Sequence, residues 1–458
     1  MIRIRINFGV ILVGLALVPL LLLPPRIYPG QETAWELPVK KNVLENGLPV
    51  ILETDGSSET TAIIVFIRGG KRAEPAGKSG LAFLTTRLAV EIPDQDKLRK
   101  LLSLASRVSV TSREDYSLID IECLSSNLEP TLKILSKIIA DPLFSGRRID
   151  AVKDNMRHQA KLELDDSVLS GHLASLAAFF TDPGYAGSIY GNDESISAIK
   201  GRDVSDFYKR RFTAANIVIS ASSDLKEDEI MGMIADCFAG LPAGEIAPLE
   251  PPGFRAEKEE AAFIPRETQQ SYLSIAYSLP AMNRRQFVLS YLLENLLGKG
   301  PGSRLWPLRT EKRLAYNVNC RVTQMLEGGL VEAYLETDNS KRSTALEALR
   351  STIGDLASNG IEAEEFGTVQ TISKATFLRD NEARSSRTFT LGMFEALGFG
   401  YDYFSVLPAE IDAVSLEEMN VFIKSTLGSD KAFEVIVGGE DEKKSPSPIL
   451  PGISWPVP

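Results

Sequence analysis

Two histidines, His158 and His172, are the chain's whole supply of imidazole, so any metal or acid–base chemistry built on clustered histidines must use these two. On one continuous helix their spacing would hold them ~21 Å apart, too far to share an ion. Asp165 and Asp166 between them read as a charged, solvated helical stretch. Cys123, Cys237 and Cys320 lie far apart with no C-x-x-C pair, which excludes a thiolate zinc cage, a redox motif and a disulfide framework. Cys123 falls at an inward position of a strand, where an inert thiol is the usual case. Residues 298–302 (GKGPG) lack the G-K-[ST] ending and the preceding buried strand of a phosphate loop, so they read as a tight turn. Arg147-Arg148 and Lys209-Arg210-Arg211 are expected to be solvated helix faces. Arg309 and Tyr316 are about two helical turns apart, and that spacing alone makes them an ordinary helix-surface residue and a core residue.

Composition narrows the field. The chain has 458 residues, 44% hydrophobic and 24% charged, the profile of a folded protein of two to four domains. Its formal net charge of −11 makes it a poor binder of phosphate backbones, so nucleic acid is excluded as a partner. Arg3 and Arg5 precede an uncharged run over residues 6–25, and Arg26 closes it. Residues 1–36 are therefore expected to be a signal peptide or a short N-terminal membrane anchor with its spacer. No clean A-x-A site follows, which tilts the reading towards an uncleaved anchor. The bulk of the chain is then exported, to the periplasm or another extracytoplasmic space.

Hydrophobic patterning supplies the elements. Residues 44–52 (LENGLPVIL) read as a hairpin turning at Asn46-Gly47. Residues 61–67 (TAIIVFI) form a continuous apolar strand, and a helix starts near Leu81 after a Gly/Pro breaker at 74–80. Residues 116–123 (YSLIDIEC) alternate as a half-buried strand does, and a helix follows Asn127. Helical stretches fill 146–180 and 202–211. Residues 241–253 carry four prolines and two glycines, the composition of a linker. Beyond them the pattern restarts, and the strand–Asn–helix unit of 118–141 recurs at 330–355. Repeated strand–helix units with hairpins argue for α+β layers.

Asn46-Gly47-Leu48, the apolar strand, Gly69-Gly70, Glu74-Pro75 and Gly80-Leu81-Ala82 together resemble the opening of the pitrilysin/insulinase-type zinc peptidases. That family continues with H-x-x-E-H, two zinc-binding histidines and a water-activating glutamate on one helix. The resemblance places Phe83, Thr86 and Arg87 at those positions, and Asn155 at the family's third ligand, a glutamate. None of the first three suits zinc, and Arg87 sets a permanent cation where the metal would sit. The stretch Ser303-Arg304-Leu305 followed by Arg309 and Tyr316 is similar to the family's second-half signature, whose Arg/Tyr pair reaches a zinc site on another domain or subunit. Tyr190-Gly191, Phe212 to Asn216 and Leu241-Pro242 also fit.

The resemblance implies two similar α+β domains, each a mainly antiparallel sheet with helices packed on one face, forming a half-clamshell like those of pitrilysin and the mitochondrial processing peptidase. The domains span 37–241, with a degenerate zinc site, and 257–439, with the Arg/Tyr motif; 242–256 link them and 440–458 form an irregular tail. Two functions follow as expectations. The chain is either the zinc-less subunit of an exported heterodimeric metalloendopeptidase or a structural and binding scaffold. In the first case zinc is absent here and present in an H-x-x-E-H partner. This chain then supplies Arg309, Tyr316 and half of the peptide chamber.

Overall fold

The computed structural model describes residues 37–181, 184–255, 261–428 and 432–439. The expected leader over 1–36 and the tail over 440–458 lie outside these residues. The first half carries β1 (Val39–Val43), β2 (Pro49–Thr54), β3 (Thr60–Arg68), α1 (Leu81–Val90), α2 (Gln95–Ser103), β4 (Arg107–Ser112), β5 (Tyr116–Leu124), α3 (Leu128–Ala140), α4 (Gly146–Asp165), α5 (Ser167–Phe179), α6 (Asp193–Ala198), α7 (Gly201–Arg211), β6 (Ile217–Ser223) and α8 (Glu227–Phe238). The second carries β7 (Ala261–Pro265), β8 (Gln270–Leu279), α9 (Arg284–Gly298), α10 (Trp306–Thr310), β9 (Asn317–Met325), β10 (Gly328–Asp338), α11 (Arg342–Asn359), α12 (Ala363–Asp380), α13 (Arg384–Ala396), α14 (Tyr403–Asp412), α15 (Leu416–Leu427) and β11 (Phe433–Gly438).

Each half builds its own sheet. The orders are β1-β2-β6-β3-β5-β4 and β7-β11-β8-β10-β9. Pairing is antiparallel except between β2 and β6 and between β7 and β11, so the sheets are mixed but mainly antiparallel. The repeated strand–Asn–helix unit is visible as β5 leading through a short 3₁₀ turn into α3, and β10 leading through another into α11. The first hairpin turns at Gly47, whose φ of 88° suits glycine, with the Leu44 amide donating to the Leu48 carbonyl at 2.9 Å.

β3 is apolar from Ala62 to Ile67 because both of its faces are covered there. Ile63, Val65 and Ile67 face α3 and α8, with Leu128, Leu132, Ile230 and Ile234. Ile64 and Phe66 instead meet Leu391 and Phe394 of α13, which belongs to the second half of the sequence. α5 makes the reciprocal move, laying Ala174, Ala177 and Ala178 on Tyr272, Phe433 and Val435 of the second sheet. Helices therefore pack on both faces of the sheets, and each half supplies one helix to the other. The approach is close enough to require glycine. A Cβ on Gly392 would come within 2.3 Å of the Phe66 ring, and one on Gly171 within 2.3 Å of the Tyr272 ring.

Electrostatics fix α13 at both ends. Arg387 binds the Glu53 and Asp55 carboxylates at 2.6 Å each. Arg68 donates to the Ala396 carbonyl at 3.0 Å, which places a cation at the negative end of the helix dipole. The stretch 242–255 has no helix, yet it is a strap tied along its length. Arg211 donates to the Ala247 and Pro248 carbonyls at 3.1 and 3.2 Å, and Arg72 to that of Glu250 at 3.1 Å. Phe254 lies against Phe180 with ring centroids 5.4 Å apart.

Candidate functional site

α1 is the helix on which the metal-binding residues of a peptidase would sit. Its first turn is held by the Glu74 carboxylate, which accepts the amides of Gly80 and Ala82 at 3.1 and 2.8 Å. Gly80 takes φ 97° and lies where a Cβ would strike the Tyr190 carbonyl oxygen at 2.5 Å. Phe83 is only 7% exposed and meets the Tyr190 ring edge-to-face at 4.8 Å. The buried Thr86 hydroxyl donates to the Ala82 carbonyl at 2.8 Å. Arg87 is half-buried, and its side chain makes no hydrogen bond or ion pair with any described residue.

The space around Phe83 is closed by Leu81, Leu84, Val152, Met156 and Phe207. An apolar ring, a hydroxyl that donates to backbone and a guanidinium do not fit zinc, which needs neutral imidazole, thiolate or carboxylate donors. Among the described residues no group of three His, Cys, Asp or Glu side chains could hold a metal ion.

α4 turns Asn155 away from α1. Asn155 is exposed and is not part of the cluster that α4 forms with α1. The inward stripe of α4 is Ile149, Val152, Met156 and Ala160, and at the next helical step it reaches Glu163. That three- and four-residue spacing was the signal available in the sequence. Burial raises the pKa of Glu163, opposed by the Ser188 hydroxyl bond and by the nearby Lys71 and His172. Lys71 is itself buried and donates to the carbonyls of Ala186 and Gly187.

The two histidines sit on different helices, because the chain breaks at Asp166, whose carboxylate accepts the Leu169 amide at 2.8 Å and caps α5. His158 is exposed on α4. His172 leaves α5 towards the second sheet, where its Nδ1 pairs with the fully buried Glu332 carboxylate of β10. Arg321 of β9 stands 4.0 Å from the same carboxylate. All three cysteines are free and buried, and burial pushes Cys123 up to about 11 and Cys237 up to about 12. They are inert as nucleophiles at neutral pH.

Arg309 and Tyr316 do not share a helix. Arg309 lies in the last turn of α10, exposed, with its guanidinium 5.1 Å from the Trp306 ring centroid. The chain then reverses through Arg313, at φ 53°, and Tyr316 leads into β9, the edge strand of the second sheet. Tyr316 is 54% exposed and donates its hydroxyl to Asp338 at 2.8 Å, a bond that raises its pKa. Neither residue belongs to the cluster around Phe83, which is formed by first-half residues.

Two layered α+β halves with interchanged helices, whose described residues offer no group of three metal-ligating side chains, define a peptidase-like scaffold. The description "Insulinase (Peptidase family M16)" matches residues 49–183, and "Peptidase M16 inactive domain" matches residues 198–372. The chain belongs to the insulinase family, peptidase family M16. It is similar to the "Uncharacterized zinc protease YmxG" of Bacillus subtilis, 21% identical over 87% of this chain and 98% of the relative. It is also similar to the "Non-peptidase homolog YmxG" of Helicobacter pylori, 24% identical over 86% of this chain and 93% of the relative. The crystal structure of a peptidase M16 inactive domain from Pseudomonas fluorescens superimposes with a TM-score of 0.78 at 19% identity, over 90% of this chain and 100% of that one.

Proposed function

We propose that this chain is the zinc-less subunit of an exported two-subunit metalloendopeptidase. It would close half of a peptide chamber and lend Arg309 and Tyr316 to a zinc site carried by an H-x-x-E-H partner. The observation that carries this reading is a contrast within the chain. Phe83, at the position the resemblance gives to a zinc ligand, is packed shut, while Arg309 stands exposed on α10 and Tyr316 exposed at the start of the edge strand β9. Residues so placed are accessible to a second molecule and not to this chain's own α1 cluster. A phenol and a guanidinium there suit an oxyanion and a peptide carbonyl. Co-expression with a zinc-bearing relative, co-purification and a peptidase assay test it: a stable pair whose activity needs both chains is expected, and two non-interacting chains would refute it.

A second reading, a scaffold with no part in catalysis, draws on a specific observation. Both side chains already have partners inside the chain, Tyr316 with Asp338 and Arg309 with Trp306. The name of the Helicobacter pylori relative points the same way. Under that reading the pair assembles equally well with Arg309 and Tyr316 replaced, and its activity is unchanged.

A further inference from the structure

The role proposed for Tyr316 is to donate a hydrogen bond to an oxyanion, and a phenol has one proton to give. In this chain that proton is already committed, because the hydroxyl donates to Asp338 Oδ1 at 2.8 Å. The Tyr316 amide donates to the Glu336 carbonyl at 2.9 Å, which pins the backbone at the start of β9 and leaves only the side chain to swing. The bond to Asp338, and then the charge on that carboxylate, keep the proton on the phenol to higher pH than in an ordinary tyrosine. A donor so held cannot serve a second acceptor.

Asp338 has a second partner at hand. It closes β10, and the 3₁₀ turn Asn339–Lys341 that follows brings the Lys341 ammonium to 3.5 Å from its other oxygen. Lys341 also donates to the Arg313 carbonyl at 3.3 Å, so one ammonium is divided between the carboxylate and the turn before β9. Arg313 takes φ 53° in that turn, the left-handed conformation that disfavours residues with a Cβ. Both charged side chains are part-exposed, so their bonds break and re-form at little cost. Two arrangements therefore compete. In one, Asp338 holds Tyr316 and Lys341 holds the strained turn; in the other, Lys341 pairs fully with Asp338 and the phenol is free.

We propose that the Tyr316–Asp338 bond is an autoinhibitory contact of the shared zinc site, opened when Lys341 takes over the carboxylate. While it is closed the phenol proton is withheld from a partner's oxyanion, and the open fraction sets the turnover of the assembled pair. The inference rests on the proposed role of Tyr316 in a partner's site, and it gives Asp338 and Lys341 opposite effects on that role. A surface hydrogen bond with no functional part would give neither.

Asp338→Ala removes the acceptor and leaves the phenol in place. In complex with a zinc-bearing H-x-x-E-H relative, assayed on a quenched fluorescent peptide, it should raise kcat about threefold to tenfold, the ratio that one net hydrogen bond sets, with KM unchanged. Lys341→Met leaves Asp338 to Tyr316 alone and should lower kcat by a similar factor, while the double variant should match Asp338→Ala. A kcat that is unchanged or reduced in Asp338→Ala, or raised in Lys341→Met, would overturn the contact. In the chain alone, the isotope-labelled ring resonance of Tyr316, assigned by its loss in Tyr316→Phe, should titrate at lower pH in Asp338→Ala than in the native chain. An unmoved titration would overturn it too. The failures separate: turnover that falls in Tyr316→Phe and does not rise in Asp338→Ala refutes this contact and keeps the shared site, whereas turnover indifferent to Tyr316→Phe refutes the shared site itself.

Discussion

The Asp115 carboxylate accepts the Leu326 backbone amide at 2.8 Å, so a loop residue of the first half caps the β9–β10 hairpin of the second. Its other oxygen takes the Tyr185 hydroxyl at 2.7 Å, and Arg72 spans the junction to reach Glu327 at 3.0 Å. Asp115 is buried, and that burial raises its pKa despite these donors.

A pH dependence follows. A carboxyl with a raised folded-state pKa holds its proton in the folded chain after the unfolded chain has lost it. Its contribution is therefore greatest at low pH and falls as pH rises from the ordinary aspartate range near 4. Asp115→Asn removes this slope whatever its absolute stability. Urea unfolding across pH should show the variant gaining on the native chain as pH rises, and parallel curves would refute the assignment.

Two glycine substitutions should act in opposite directions. Gly392→Ala drives a methyl into the Phe66 ring and should destabilise by about 1–3 kcal/mol, as overpacking does. Gly354→Ala, on an exposed turn of α11 with nothing within 4 Å of its Cβ, should stabilise by up to about 1 kcal/mol. Chemical denaturation of both variants measures the difference. Similar shifts in both would mean that α13 does not approach β3 this closely.

Phe83 is packed among Leu84, Val152 and Met156, at the position that the family resemblance assigns to a zinc-binding histidine. The purified chain should therefore carry no stoichiometric zinc by elemental analysis. Phe83→Ala should cost about 3–5 kcal/mol, the usual range for truncating a buried phenylalanine. Tightly held zinc, or a loss below 1 kcal/mol, would mean that the helix packs differently.

Tyr316 tests the shared-site reading. Removing one oxyanion donor costs roughly 100- to 1000-fold in turnover, so Tyr316→Phe in a complex with a zinc-bearing partner should lower kcat by that order while assembly persists. Arg309→Ala should act similarly and raise KM as well. Asp338→Asn is the informative control, because it weakens the internal hold on the tyrosine and leaves its hydroxyl in place. Near-native kcat in both Tyr316→Phe and Arg309→Ala would leave only the scaffold.

What the sequence made legible was local. The Asn46-Gly47 turn, the apolar run of β3 and the unit repeated at β5–α3 and β10–α11 depend on neighbours within a few residues. The departure at Phe83, Thr86 and Arg87 was equally plain, because it rests on side-chain type alone. Hidden were contacts between distant residues: Arg387 with Glu53, His172 with Glu332, Asp115 with Leu326. Nothing in the local pattern of residues 384–396 marks a helix that crosses to the other sheet. The inward face of α4 was hidden for a related reason. Asn155 and Glu163 lie on one helix, and only the direction of its buried stripe separates them.

The interchange of α5 and α13 has a consequence in time. The helix that covers β3 is synthesised long after it: Arg68 and the Ala396 carbonyl it binds are 328 residues apart. At about 5–20 residues per second, that separation corresponds to a delay on the order of 15–65 s during synthesis. Throughout that interval the nascent first half bears Ile64 and Phe66 on a sheet face with no cover. The order of synthesis thus imposes a period of exposed apolar surface, and a chaperone that holds the emerging first half would raise the yield of folded chain more than one acting after release.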